Sequence, residues 1–199
     1  MVKRAPDLRR GLLDASLELI AKEGLEKLSM REVARRAGVS HQAPYHYFSD
    51  REAILAELVA EGFQRLRADM MAALRKTDNA AARLTAIGKA YVGFALNHPA
   101  RFKLMFRSEL VDAARHEQAQ ACAQAAFEVL VSVVDDPPAG RAGARKASPM
   151  VLAAWSLAHG LSTLLLEGKL DRHFGKGKRA RAAAANAVLE AFTALNRRG

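Results

Sequence analysis

An all-α fold is what this sequence predicts, on three observations. Half of the residues are hydrophobic while aromatics make up only 6%, so the composition leans on Ala and Leu, residues of high helix propensity. Apolar positions recur three and four apart, as on one face of a helix, and no segment of useful length alternates like a half-buried strand. Helix-start and helix-stop residues punctuate these stretches.

Met1 to Pro6 is a basic tail, and Asp7 opens a helix to about Glu23. Leu8, Leu12, Ala15 and Leu19 form its stripe, with Gly24 as the stop. Lys3, Arg4, Arg9 and Arg10 lie where an arm could reach phosphates. Ser29 followed three positions later by Glu32 is a capping box, in which hydroxyl and carboxylate satisfy N–H groups that a helix start leaves open. Val33, Ala34 and Ala37 give that short helix an apolar side, Gly38 ends it, and Leu25 and Leu28 close the base of a small core. Ser40 is placed to cap a second short helix. Ser49 with Glu52 repeats the capping box and starts a long helix from Asp50 to about Lys76, carrying Ile54, Leu55, Leu58, Gly62, Leu66 and Met70. Two short helices around a glycine-containing turn have the spacing of a helix-turn-helix, whose second helix enters the DNA major groove.

A further helix from about Asn79 to Asn97 puts Leu84, Ile87, Tyr91 and Phe94 on one side, and His98-Pro99 breaks it. Phe102, Met105 and Phe106 concentrate aromatic and sulfur groups on the piece from Pro99 to Arg107. An amphipathic helix from about Asp112 to Val134 carries Ala119, Cys122, Ala126, Val129 and Val133. Residues 135–147, rich in Pro, Gly, Ala and Arg, read as a mobile connection. Ser148 with Pro149 opens a helix to about Glu167, apolar on nearly every face, which must be covered all round. After a basic, glycine-containing loop from Lys169 to Lys178, a last helix shows Ala184, Val188, Ala191 and Leu195.

The formal charge of +10 suggests an anionic partner, but residues 1–51 contribute +3, residues 52–136 contribute −1 and residues 137–199 contribute +8. Net charge therefore does not locate a nucleic-acid surface. Cys122 is the single cysteine, so neither an intrachain disulfide nor a cysteine metal cage is possible. His98, Glu109 and His116 follow no recognised ligand spacing, and no metal or cofactor is expected. Phosphate-loop and dinucleotide-loop patterns are missing, so an enzyme is not expected. Without a long uninterrupted apolar run or a leader at the N-terminus, the expectation is a soluble, cytoplasmic protein with no membrane partner.

Met30-Arg31-Glu32-Val33-Ala34, Ala37-Gly38-Val39-Ser40, Tyr45-His46-Tyr47-Phe48 and Arg51 resemble the N-terminal domain of the tetracycline-repressor (TetR) family of transcriptional regulators. Pro44 departs from that pattern, where the family often carries an aliphatic residue; so near a helix start it removes at most one backbone bond. The resemblance implies that Arg31, His41 and Gln42 read base edges, that Tyr45, Tyr47 and Arg51 contact phosphates, and that Ser40 caps the recognition helix. Trp155, His159 and Gly160 resemble a subgroup whose regulatory domain carries a Trp and a His-Gly in this order. The family further implies a homodimer on a palindromic operator, with a ligand that shifts the long helix and the spacing of the two recognition helices.

The expected organisation is a three-helix helix-turn-helix domain at 1–50 and a helical ligand-binding and dimerisation domain at 51–199. Tyr91, Phe94, Phe102, Met105, Phe106, Trp155 and His159 are expected to converge on a small, largely apolar effector oriented by His159. Leu161, Leu165, Val188 and Leu195 are expected along a dimer seam made by the last two long helices. A DNA-binding protein without an effector, or a helical enzyme, are the alternatives.

Overall fold

The computed structural model describes residues 5–77, 79–112, 114–135 and 147–196, without the side chains of residues 5–7, 80, 81, 108 and 196. Among them are nine α-helices: α1 (Ala5–Glu23), α2 (Met30–Ala37), α3 (Arg51–Leu74), α4 (Ala80–Asn97), α5 (Pro99–Met105), α6 (Glu117–Val134), α7 (Pro149–Leu166), α8 (Asp171–Phe174) and α9 (Lys178–Asn196). The strongest sequence signals hold. Ser29 Oγ accepts the Glu32 N–H at 3.2 Å, and Gly38 ends α2 in the left-handed region at φ 69°, a conformation that costs other residues a Cβ clash. Ser148 Oγ accepts the Val151 N–H at 3.3 Å, with Pro149 behind it in the first turn of α7.

Three boundaries differ. The residues after Ser40 form a turn and then a short 3-10 segment, Ala43–His46, instead of a regular helix. The Ser40 carbonyl, not its hydroxyl, accepts the Ala43 N–H, at 3.0 Å. Asp50, not Ser49, caps α3: its Oδ1 accepts the Ala53 N–H at 2.8 Å, and this bond holds the Asp50 carboxyl below its usual pKa. Helix α6 starts at Glu117 rather than near Asp112, because Asp112 folds back on itself, its carboxylate accepting the Ala114 N–H at 2.9 Å.

The chain forms two compact units, residues 1–62 with 100–122 and residues 63–99 with 123–199. In the first unit Leu12, Leu19, Val33, Ile54, Leu55 and Leu58 are wholly buried, each contributing on the order of 1.5 to 3 kcal/mol of apolar transfer. Arg36 on α2 pairs with Glu18 and Glu23 on α1, and Arg9 reaches Glu57 on α3 at 2.9 Å. Helix α5 lies against α3 at Gly62, where an added Cβ would stand 2.5 Å from Met105 Sδ. Arg101 secures that contact, donating to Glu61 at 3.2 Å and to the Leu58 carbonyl at 3.3 Å.

In the second unit α4 packs against both α7 and α9. Thr85 faces Thr193 at 2.8 Å and Lys89 faces Glu190 at 2.6 Å, so α4 and α9 run antiparallel. Val92, Leu161, Leu165, Ala184, Ala185 and Leu189 make the core between the helices. Helix α7 is long and apolar enough to cross a membrane by length and composition. Its capped start and the buried row Val151, Ala154, Ala158, Leu161 and Leu165 are those of a core helix.

Candidate functional site

The first site is built on α2 and the turn that follows it. Phe48 is 4% exposed and its ring lies under the Arg9 guanidinium, 5.3 Å from charge centre to centroid. That anchors the far end of the 3-10 segment. Pro44 is buried beside it, and its carbonyl accepts the N–H groups of Tyr47 and Phe48 at 3.0 and 2.9 Å. A proline fits because the turn asks for its carbonyl and packing, not for a donor.

Around this buried base Arg31, Ser40, His41, Gln42 and Tyr45 are exposed and Tyr47 is half-buried. Gln42 Nε2 and His41 Nε2 lie 3.3 Å apart. Glu32, the acid of α2, is taken up by Arg35, which holds its carboxyl below the usual range. Arg51 is placed differently from the rest. It donates to the Leu25 carbonyl at 3.0 Å and its Nε is buried without a hydrogen bond, so it holds the turn after α1. Arg9 and Arg10 are not a loose arm, being paired with Glu57, Asp14 and Glu61; Lys3 and Arg4 lie outside the described residues.

A cluster that sequence reading missed joins this region to the segment before α6. Glu52 accepts the Asp112 N–H at 2.8 Å and Arg115 Nη1 at 2.7 Å, while Arg115 Nη2 reaches Asp50 at 3.3 Å. His116 Nε2 lies 3.3 Å from Glu52 as well, without the alignment of a hydrogen bond. Only the unlike charges of Glu52 and Arg115 signal it in the sequence, and spacing gives such a distant pair no register.

The second site is in the other unit. Tyr91 Oη lies 3.0 Å from His159 Nδ1, and the Trp155 ring stands 6.3 Å from the imidazole, centroid to centroid. Which of the two atoms, Tyr91 Oη or His159 Nδ1, donates depends on the imidazole tautomer. Burial raises the Tyr91 pKa and lowers that of His159, favouring the neutral form of each. Phe127 of α6 closes the group, its ring 5.6 Å from Trp155. Of the seven residues expected to converge, Tyr91, Trp155 and His159 are brought together. Phe94 is buried against His98. Phe102, Met105 and Phe106 belong to the first unit, where Phe102 packs on Phe106 and Met105 on Gly62.

The residues expected along a dimer seam differ in exposure. Leu161 and Leu165 are 6% and 1% exposed and lie in the chain's own core, with Val188 packed at its edge. Leu195 is 70% exposed, and Leu152, Trp155 and Leu164 are the large apolar residues that α7 leaves uncovered.

A helix-turn-helix with exposed polar side chains on a buried aromatic base, attached to a helical second unit, defines a DNA-binding transcriptional regulator. Residues 84–195 match the family described as "Tetracyclin repressor-like, C-terminal domain", and residues 12–58 match "Bacterial regulatory proteins, tetR family". The chain belongs to the TetR family. It is 34% identical over 82 residues to the HTH-type transcriptional regulator BetI of Rhizobium meliloti, covering 41% of this chain and 40% of that protein. It is 31% identical over 130 residues to the HTH-type transcriptional activator FasR of Mycolicibacterium smegmatis, covering 62% and 59%. The chain thus spans about two fifths to three fifths of these curated relatives. A solved protein of unknown function from Rhodococcus sp. RHA1 is 35% identical, covers 92% of this chain and 94% of its own, and superposes with a TM-score of 0.73.

Proposed function

We propose that this chain is a cytoplasmic, homodimeric repressor that binds a palindromic operator and leaves it when a small, largely apolar effector binds the helical second unit. The observation that carries the DNA reading is the exposed set on the Phe48 base. Arg31, His41 and Gln42 act as base readers, with Tyr45, Tyr47 and the remaining donors of Arg51 on phosphates. Ser40, with its hydroxyl exposed and its carbonyl holding the turn, positions the start of the reader.

The effector site centres on Tyr91, Trp155 and His159, with the imidazole orienting the ligand. A neutral Tyr-His pair beside two aromatic rings suits an uncharged or weakly polar molecule rather than a multiply anionic one. The dimer forms across α7 and α9 through Leu152, Leu164 and Leu195. Exposed leucines on helices already packed on one side support this, since water-facing apolar stripes favour a partner.

Selection of bound sequences from a random duplex library tests the proposal. The expected result is a two-fold symmetric consensus with half-sites about 10 base pairs apart or a multiple of that. An asymmetric consensus overturns the dimeric reading, and no consensus overturns the regulator reading. A DNA-binding protein without an effector is the second reading, favoured by the 3.0 Å contact in which Tyr91 and His159 already engage each other. Mass spectrometry of co-purified small molecules separates the two.

A further inference from the structure

The stretch from Gly168 to Arg181 carries Lys169, Arg172, Lys176, Lys178, Arg179 and Arg181 against a single acid, Asp171. That acid is already engaged. Arg181 donates to both of its oxygens, at 3.0 and 2.9 Å, and holds its carboxyl below the usual range. The same pair closes the stretch into an ordered loop. Phe174 and Gly175 N–H groups bond the Leu170 and Asp171 carbonyls, each at 3.1 Å, and the Arg181 N–H bonds the Gly177 carbonyl at 3.0 Å. Gly175 and Gly177 sit at φ 90° and 92°, where a side chain would be strained, and Leu170 pins the loop to the core cluster.

Lys169, Arg172, Lys176, Lys178 and Arg179 are exposed and make no ion pair among the described residues. Their setting opposes them. Lys178, Arg179 and Arg181 occupy the first turn of α9, which holds no acid, where the helix dipole disfavours cations. Unpaired cations held on a rigid platform against local preference maintain a positive potential that an outside anion relieves.

Duplex DNA fits better than an anionic bilayer. Phe174, 48% exposed, is the one large apolar group offered to solvent here, and α8 is four residues long. An interfacial membrane helix needs a full apolar face, whereas phosphates ask only for spaced donors and charge. We propose that the loop from Lys169 to Arg179 is a second, sequence-independent DNA contact, separate from the helix-turn-helix. The choice of partner rests on the DNA-binding reading above.

The test uses the full chain with Lys176→Glu, Lys178→Glu and Arg179→Glu combined. Acids in the first turn of α9 agree with its dipole, so circular dichroism should be unchanged. A control with Arg67→Glu, Arg75→Glu and Lys76→Glu alters net charge equally at exposed positions elsewhere. Anisotropy with a random-sequence duplex about four helical turns long gives affinity across a salt series. The loop variant is expected to lose about 2 to 3 from the slope of log affinity against log salt, roughly 0.9 per phosphate contact removed, while the control loses less than about 1. Equal losses in the two variants, or none in the loop variant, overturn the inference. So does loop-dependent pelleting with phosphatidylglycerol vesicles when the DNA slope is unchanged. A wild type that binds no duplex at all overturns the regulator reading instead.

Discussion

Glu52 and Arg115 are joined at 2.7 Å across more than sixty residues of chain, tying the first turn of α3 to the segment just before α6. The same carboxylate receives the Asp112 N–H. The start of the long helix is therefore held from outside as well as by its own cap. Arg115 is 56% exposed and Glu52 25%, so the pair itself is worth no more than about 1 kcal/mol in water. Glu52→Gln is expected to cost little in urea denaturation but to speed hydrogen exchange at residues 112–116 clearly. Exchange unchanged there would mean that the segment is held by its own turn.

Gly62 leaves room that Met105 fills. Gly62→Ala sets a Cβ 2.5 Å from Met105 Sδ and 2.8 Å from its Cγ, and the expected destabilisation is about 1 to 3 kcal/mol. Adding Met105→Ala should recover part of the loss, giving a favourable coupling in a double-mutant cycle. Additive losses would show that α3 suffers for a reason other than α5.

Gln42→Ala is expected to relax base preference at one or two operator positions, by about 1 to 3 kcal/mol per lost bidentate contact, with little change in non-specific affinity. Arg51→Ala should behave otherwise, because its guanidinium also serves the Leu25 carbonyl. Both melting temperature and affinity for every sequence should fall. An Arg51 variant with unchanged melting but weak binding would make the phosphate role the larger one.

Leu164 and Leu165 are adjacent and should respond in opposite ways. Leu165 is 1% exposed and Leu164 43%. Leu165→Glu places a charge in the core and is expected to unfold the second unit. Leu164→Glu should keep the fold and sediment as a monomer. A dimer that survives Leu164→Glu would put the seam on another face.

Acid should weaken the Tyr91–His159 pair. Burial lowers the His159 pKa from 6.5, so the unfolded chain binds this proton first as pH falls. The contribution is complete above the unfolded value and is lost as pH drops below it and through the folded value. Melting temperature should decline across that window, and His159→Gln should flatten this part of the profile. Parallel profiles would assign the acid sensitivity to other groups.

The caps and glycine stops were legible because their cause is local. Ser29 needs only the next three residues to act, and Gly38 needs only its missing Cβ. Where two local solutions stand side by side, tertiary partners choose. Ser49 and Asp50 can each cap a helix; Asp50 prevails while Glu52, the acid expected in the capping box, is drawn towards Asp112 and Arg115. Helix α7 shows the converse problem. Being apolar nearly all round, it has periodicity without phase, and α4 and α9 decide that Leu165 faces inward and Leu164 outward. Phe94 and Phe102 stand eight positions apart, yet packing assigns them to different units on either side of Pro99, which no spacing rule foretells.

The return of residues 100–122 to the unit begun by residues 1–62 has a consequence during synthesis. At about 5 to 20 residues per second, the chain between Glu52 and Asp112, 60 positions apart, takes on the order of 3 to 12 s to emerge from the ribosome. Helices α1 and α2 can meet at once, but α3 must wait for α5 and for the segment that carries Arg115. A nascent chain stalled before residue 100 would expose Gly62 and the apolar row beside it, so this is the interval in which a chaperone has most to cover.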